Sequence, residues 1–179
     1  MPVQIGAPAH PFSNPTGLLS DCHRRIEMFV GTLQSVAPFL ADSPNAEVRT
    51  AFETSLRYFR NAAPKHNADE EESLFPRLRQ AADPRAQAVL SQLAALEEEH
   101  RWAAPLHEEV DRLGNKYLAS GPLSAQESDD FRSAVERLVS MYREHIALED
   151  EVVFPCAAEV LSAEAKAAIA GEMAKRRNL

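Results

Sequence analysis

Glycine, cysteine and long apolar runs are what this 179-residue chain has least of. Six glycines leave few places for tight turns, whereas Leu, Ala, Glu and Arg are plentiful, a balance that favours helix. Two cysteines, Cys22 and Cys156, make no disulfide framework, and a reducing cytoplasm is the expected home. No apolar stretch approaches the roughly 20 residues needed to span a bilayer, so no membrane association is expected. The formal net charge of −8 argues against nucleic acid or an anionic membrane surface as partner. The opening stretch, MPVQIGAPAHPFSNPTG, has neither the basic start nor the apolar centre of a secretory signal. The length sets one domain as the expected count, with enough chain to bury a sizeable core.

What is there is helical periodicity. Residues 1–14 hold three prolines and no apolar period, and read as a flexible arm carrying a solvated His10. From Leu18 the spacing of Leu19, Ile26, Val30 and Leu33 predicts a first helix, interrupted near Pro38. Ser43-Pro44 is a start signal for a second, with Phe52, Leu56, Phe59 and Ala63 on one face. Asp83-Pro84 starts a third that runs towards Gly121. Ser124 and Glu127 have the form of a capping box ahead of a fourth, which Pro155 should end or bend. A short fifth helix spans about Ala163 to Arg177, its basic end suited to the helix dipole. Nothing reads as strand. The expectation over residues 15–179 is all-α: an up-down-up-down four-helix bundle with a short extra C-terminal helix. Pro64 and Pro105 should kink their helices beside the residues discussed next.

One string occurs twice. It runs from His66 through Glu70, Glu71, Glu72 and Phe75 to Pro76, and again from His145 through Glu149, Asp150, Glu151 and Phe154 to Pro155. Each copy follows a more distant histidine at nearly equal spacing, His23 and His100. On a helix, residues four apart share a face at about 6 Å, so His66 and Glu70 converge on one point, as do His145 and Glu149. Apolar neighbours turn them inward: Phe59, Ala63 and Phe75 around the first pair, Leu138, Met141 and Val152 around the second. A carboxylate in such a core is costly unless paired or bound to metal. Four histidines and two glutamates suit iron, manganese or zinc and lack the thiolates of a structural zinc site. Carboxylates from opposing helices can each bridge two metals. Glu71 and Glu72 fit a solvated face, and the whole set could instead be a metal-free bundle of paired His and Glu.

The pattern His23, His66-x-x-x-Glu70, His100, His145-x-x-x-Glu149 resembles the hemerythrin family, specifically its hemerythrin-like HHE cation-binding domain, over most of the chain from about Leu18 to Pro155. The resemblance implies a four-helix bundle around a di-iron centre with an oxo or hydroxo bridge, manganese or zinc being the lesser alternatives. By that resemblance His23 and His66 serve one iron, His100 and His145 the other, and Glu70 and Glu149 bridge. Asp150 competes with Glu149 for its role, because the oxygen carriers place an Asp five residues after that histidine. Glu149 is favoured because it mirrors Glu70. The oxygen carriers also have a further histidine where this chain has Ala104, so His107 and Glu27 become substitute candidates. Without them each iron keeps an open position.

The implied function is a redox protein binding or reducing dioxygen or peroxide, with an oxidative-stress or catalase-like role. The alternative is a non-catalytic sensor of oxygen, nitric oxide or iron, or an iron store. Tyr58, Tyr117, Tyr142 and Trp102 are candidates for gating or electron transfer, with packing the expected role for Trp102. Cys22 and Cys156 do not share the ligands' direction. Glu70→Ala and Glu149→Ala should each abolish metal retention after purification while Glu72→Ala keeps it, measured as metal per chain. Full retention by all three variants would refute the bridging assignment.

Overall fold

A computed structural model describes residues 9–179, and the first eight residues of the expected arm lie outside the described residues. Every regular element among the described residues is helical, and none contains strand. The α-helices are α1 Pro15–Val36, α2 Ala46–Asn61, α3 Ala63–Ala68, α4 Phe75–Gln80, α5 Pro84–Ala88, α6 Leu90–Ser120, α7 Ala125–Leu148, α8 Phe154–Val160 and α9 Ala163–Arg176. A 3₁₀ turn, Ala37–Phe39, follows α1. Two π-helical segments, Asp69–Leu74 and Glu149–Val153, join α3 to α4 and α7 to α8. No described helix is long and apolar enough to cross a membrane.

Local chemistry explains most boundaries. Asp83 caps α5 by accepting from the Arg85 amide at 2.8 Å. Ser124 and Glu127 form the reciprocal box at the start of α7: Ser124 N donates to Oε2 at 3.1 Å, and Glu127 N donates to the hydroxyl at 3.3 Å. Ser162 caps α9 through the Ala165 amide. Gly121, in the left-handed region at φ 84°, closes α6 by donating its amide to the Tyr117 carbonyl.

Three boundary expectations have different outcomes. Ser43-Pro44 does not open α2, because Asn45, an equally good cap, accepts from the Val48 amide at 2.8 Å and starts the helix two residues later. Pro64 is accommodated by a restart: α2 ends at Asn61, and the proline falls in the first turn of α3, where no amide hydrogen is needed. Pro105 lies within α6, which continues through it. The irregular helix expected near Pro64 is present as the break at Ala62, α6 is continuous at Pro105, and π turns stand just before Pro76 and Pro155.

The chain divides into two compact units. The first comprises the described residues up to Arg25 with Lys65–Glu97 and His145–Leu179. Its core gathers Leu19, Leu74, Phe75, Leu93, Phe154 and Ile169, and Phe12 of the expected arm packs against it. The second comprises Ile26–Pro64 and Glu98–Glu144. Here Phe52 lies 5.2 Å from the Tyr117 ring and 5.5 Å from Phe131, all three buried. The Tyr117 hydroxyl donates to the carbonyls of Phe39 and Asp42, tying down the turn after α1.

Candidate metal centre

Both π segments begin at or beside the repeated glutamate and end at Phe-Pro. The amide of Phe75 donates five residues back to Glu70, and that of Phe154 to Glu149. Proline supplies the physical cause. Pro76 has no amide hydrogen for the carbonyl four residues back, Glu72, and its ring would strike that carbonyl; Pro155 stands in the same relation to Glu151. A widened turn relieves the clash in each copy, a device that recurs at functional sites. The extra residue also rotates the face. Val153 is buried and Val152 is 40% exposed, which corrects the expectation that Val152 lies inward beside His145. Asp69 and Glu70 are consecutive and both wholly buried, so the run Asp69–Glu72 is not one solvated face.

In the first unit, His23 from α1, His66 from α3, and Glu70 and Glu149 from the two π segments converge, one donor atom from each lying within 4.8 Å of all the others. A second grouping contains the same two glutamates with His145 of α7, within the same limit. His66 Nε2 is 3.1 Å from Glu70 Oε1, and His145 Nε2 is 3.2 Å from Glu149 Oε2. His23 Nε2 lies 3.1 Å from Glu149 Oε2 and 3.9 Å from Glu70 Oε1. His23, Glu70 and Glu149 are sealed from solvent, and His66 and His145 nearly so. The Phe154 ring stacks on His23 at 5.2 Å, and the His66 ring meets it edge-on at 4.9 Å.

Asp150 does not join this group; it faces the other edge of His23. Its Oδ1 is 2.9 Å from His23 Nδ1 and accepts from the Ser20 hydroxyl at 2.7 Å, while Arg24 pairs with Oδ2. With Nδ1–H given to Asp150, the imidazole presents the Nε2 lone pair to the carboxylates, the arrangement typical of a metal-ligating histidine. Nε2 comes within 3.1 Å of Glu149 Oε2, inside a core that seals both groups from solvent. Imidazole and carboxylate donors that converge in so dry a core fit a cation between them. The donor set therefore suits a metal.

Electrostatics in the metal-free protein point the same way. Burial, reinforced by the charge on Glu149, raises the Glu70 pKa well above the ordinary carboxylate range. Burial also opposes ionisation of Glu149, but His145 and His23 outweigh it and the net shift is downward. For His23, burial pulls downward while Asp150 and Glu149 more than compensate, leaving the pKa raised. Asp150 falls to about 2: burial resists, but His23, Ser20 and Arg24 prevail. One carboxylate of the facing pair thus keeps a proton that a metal ion would displace.

His100 stands on α6 in the second unit and is 9% exposed. His107, a substitute candidate, is also in that unit. Its Nε2 is 2.7 Å from the Tyr142 hydroxyl and its ring lies 4.8 Å from Phe59, which was expected beside His66. Burial lowers its pKa to about 4, so it is a neutral imidazole. Glu27 and Ala104 are exposed. Trp102 is 41% exposed beneath the Arg137 guanidinium, at 4.9 Å, rather than packed inside. His10 is not simply solvated, since its amide donates to Asp21 at 2.8 Å. Cys22 and Cys156 are half-buried thiols, both raised in pKa by burial. Asp69 is a buried group that no motif singled out; the cue was its place three residues after His66, on the same helical face.

Such a group of buried imidazoles and shared carboxylates on helices defines a class: helical proteins that bind metal cations. Within that class, a sequence model of the hemerythrin HHE cation-binding domain matches residues 14–157, and the chain belongs to that family. It is also similar to a protein of Haemophilus influenzae (strain ATCC 51907 / DSM 11121 / KW20 / Rd) described as uncharacterized, with 31% identity over 169 residues covering 94% of this chain and 92% of the relative.

Because Glu70 and His23 both keep protons to higher pH than usual, metal must compete with protons above the ordinary imidazole value of 6.5. Affinity for Zn²⁺ as a redox-silent probe should weaken about tenfold or more from pH 8 to pH 6, with proton release on binding measurable by calorimetry in buffers of different ionisation enthalpy. An affinity that is flat across that range would contradict the assignment.

Proposed function

We propose that this chain is a non-haem di-iron protein of the hemerythrin-like type, an up-down-up-down four-helix bundle with an extra C-terminal helix, that binds or reduces dioxygen or peroxide in the cytoplasm. The observation that carries the reading is the sharing of Glu70 and Glu149 between two donor groupings, as two ions bridged by carboxylates would require. His23 and His66 would hold one ion. The sequence signature assigns His100 and His145 to the other. Manganese or zinc could occupy the same donors, but the mixed imidazole and carboxylate set suits iron.

Bound iron would supply the redox electrons and the open positions at which O₂, H₂O₂ or NO binds. The protein's share is positioning and proton control. Asp150 fixes the tautomer and tilt of His23. Phe154 covers the His23 face and keeps water out. Glu70 and Glu149 would hold the ions and offset their charge, with metal displacing the proton that burial favours on Glu70. Ala104, standing where the oxygen carriers have a further histidine, would supply no ligand, which favours turnover over reversible carriage.

Full-length protein loaded anaerobically with ferrous iron should consume hydrogen peroxide repeatedly, evolving O₂ and remaining intact. Metal-free protein and Glu149→Ala should fall to the buffer rate. A stable, reversible oxygenated spectrum without turnover would instead favour the non-catalytic sensor or store.

A further inference from the structure

The family match ends at residue 157, yet the segment beyond it reaches the residues flanking two proposed ligands. Helix α9 buries Ile169 and Met173 in the core that holds Leu74 and Phe75. Its last turn ends in Arg176 and Arg177. Arg176 Nη1 donates at 2.9 Å to Asp69 Oδ1 and also to Ser73 Oγ. These residues are four apart, near the two ends of the π turn carrying Glu70, so one guanidinium nitrogen spans the widened turn. Nη2 of the same group pairs with Glu72 at 2.9 Å. Arg177 takes the other oxygen of Asp69 at 2.6 Å and also bonds the Cys22 thiol, adjacent to His23. Its second nitrogen returns to the Met173 carbonyl at 2.9 Å, holding the side chain in place.

Asp69 is wholly buried, whereas Arg176 and Arg177 are 20% and 23% exposed. A buried carboxylate without such partners must take up a proton or turn outward. Turning Asp69 outward would rotate its neighbour Glu70 out of the donor group. A π turn is rarer and weaker than the α-turn it replaces, so a bridge across its ends selects between the two registers. The second π segment is fixed differently: Asp150 there is tied to Ser20, His23 and Arg24 on α1. The two halves of the repeat therefore rely on separate clamps, and only the first lies outside the family domain.

We propose that Arg176 and Arg177 are positioning residues: through Asp69, Ser73 and Cys22 they hold the Glu70 turn in its π register beside His23 and so set how firmly the metal is retained. The inference rests on the metal-binding reading above. It is tested on the full chain loaded anaerobically with ferrous iron, by the rate of iron release to a chromogenic ferrous chelator, with the melting temperature of the metal-free protein read in parallel. The double variant Arg176→Ala/Arg177→Ala and the single variant Asp69→Asn should release iron at least about tenfold faster than wild type. Ile169→Ala, which weakens the packing of α9 without touching Asp69, should lower the melting temperature and leave release within about twofold. Arg177→Lys, able to pair with Asp69 but not to fork, should fall between. Release at the wild-type rate from the arginine and Asp69 variants overturns the proposal, as does equally fast release from Ile169→Ala. Wild-type protein that takes up no ferrous ion would overturn the metal-binding reading itself, a result distinct from both.

Discussion

Two glutamates facing each other in a dry helical core set the terms for the first unit. Neither Glu70 nor Glu149 has access to water, and the charge on Glu149 adds to the cost of ionising Glu70. Without an ion, the two are driven apart: His145 and His23 draw the Glu149 pKa down, and burial beside Glu149 pushes that of Glu70 up. A cation resolves the conflict more fully, because one centre can satisfy both carboxylates together with the Nε2 lone pair of His23. The neighbouring features serve that arrangement. Asp150 orients His23, Phe154 shields it, and the two π segments carry the carboxylates.

The widened turns show how a sequence motif becomes a site. In His-x-x-x-Glu-acidic-Glu-x-x-Phe-Pro, the histidine and glutamate bring the donors and the proline sets their register. Removing one hydrogen-bond donor and crowding one carbonyl forces a longer loop of backbone between Glu and Phe. Asp69, three residues after His66, shares its buried face, whereas Asp150, next to Glu149, reaches α1. A local defect in helical bonding, placed twice, thus yields two differently buttressed carboxylates from nearly identical strings.

Much of this was legible beforehand for a simple reason. Helical period, caps such as Asp83 and the Ser124–Glu127 box, and the i, i+4 pairing of His with Glu are local rules, and their outcomes were read from short windows. The inward direction of His66, Glu70, His145 and Glu149 followed from the same geometry. What escaped was what depends on the departure from 3.6 residues per turn. Pro155 reads as ending or bending its helix, which leaves the widened turns and the outward Val152 unread. The role of Arg176 and Arg177 escaped for another reason. They lie some 107 residues from Asp69 along the chain, and no spacing rule joins a terminal basic pair to a turn that distant.

The central claim is that Glu70 and Glu149 are shared by two metal ions, and metal stoichiometry tests it most directly. Elemental analysis of the full chain purified without chelator, with its absorption spectrum recorded alongside, should give two irons per chain and the near-ultraviolet bands of an oxo-bridged pair. One ion per chain, or none even after anaerobic ferrous reconstitution, would contradict it.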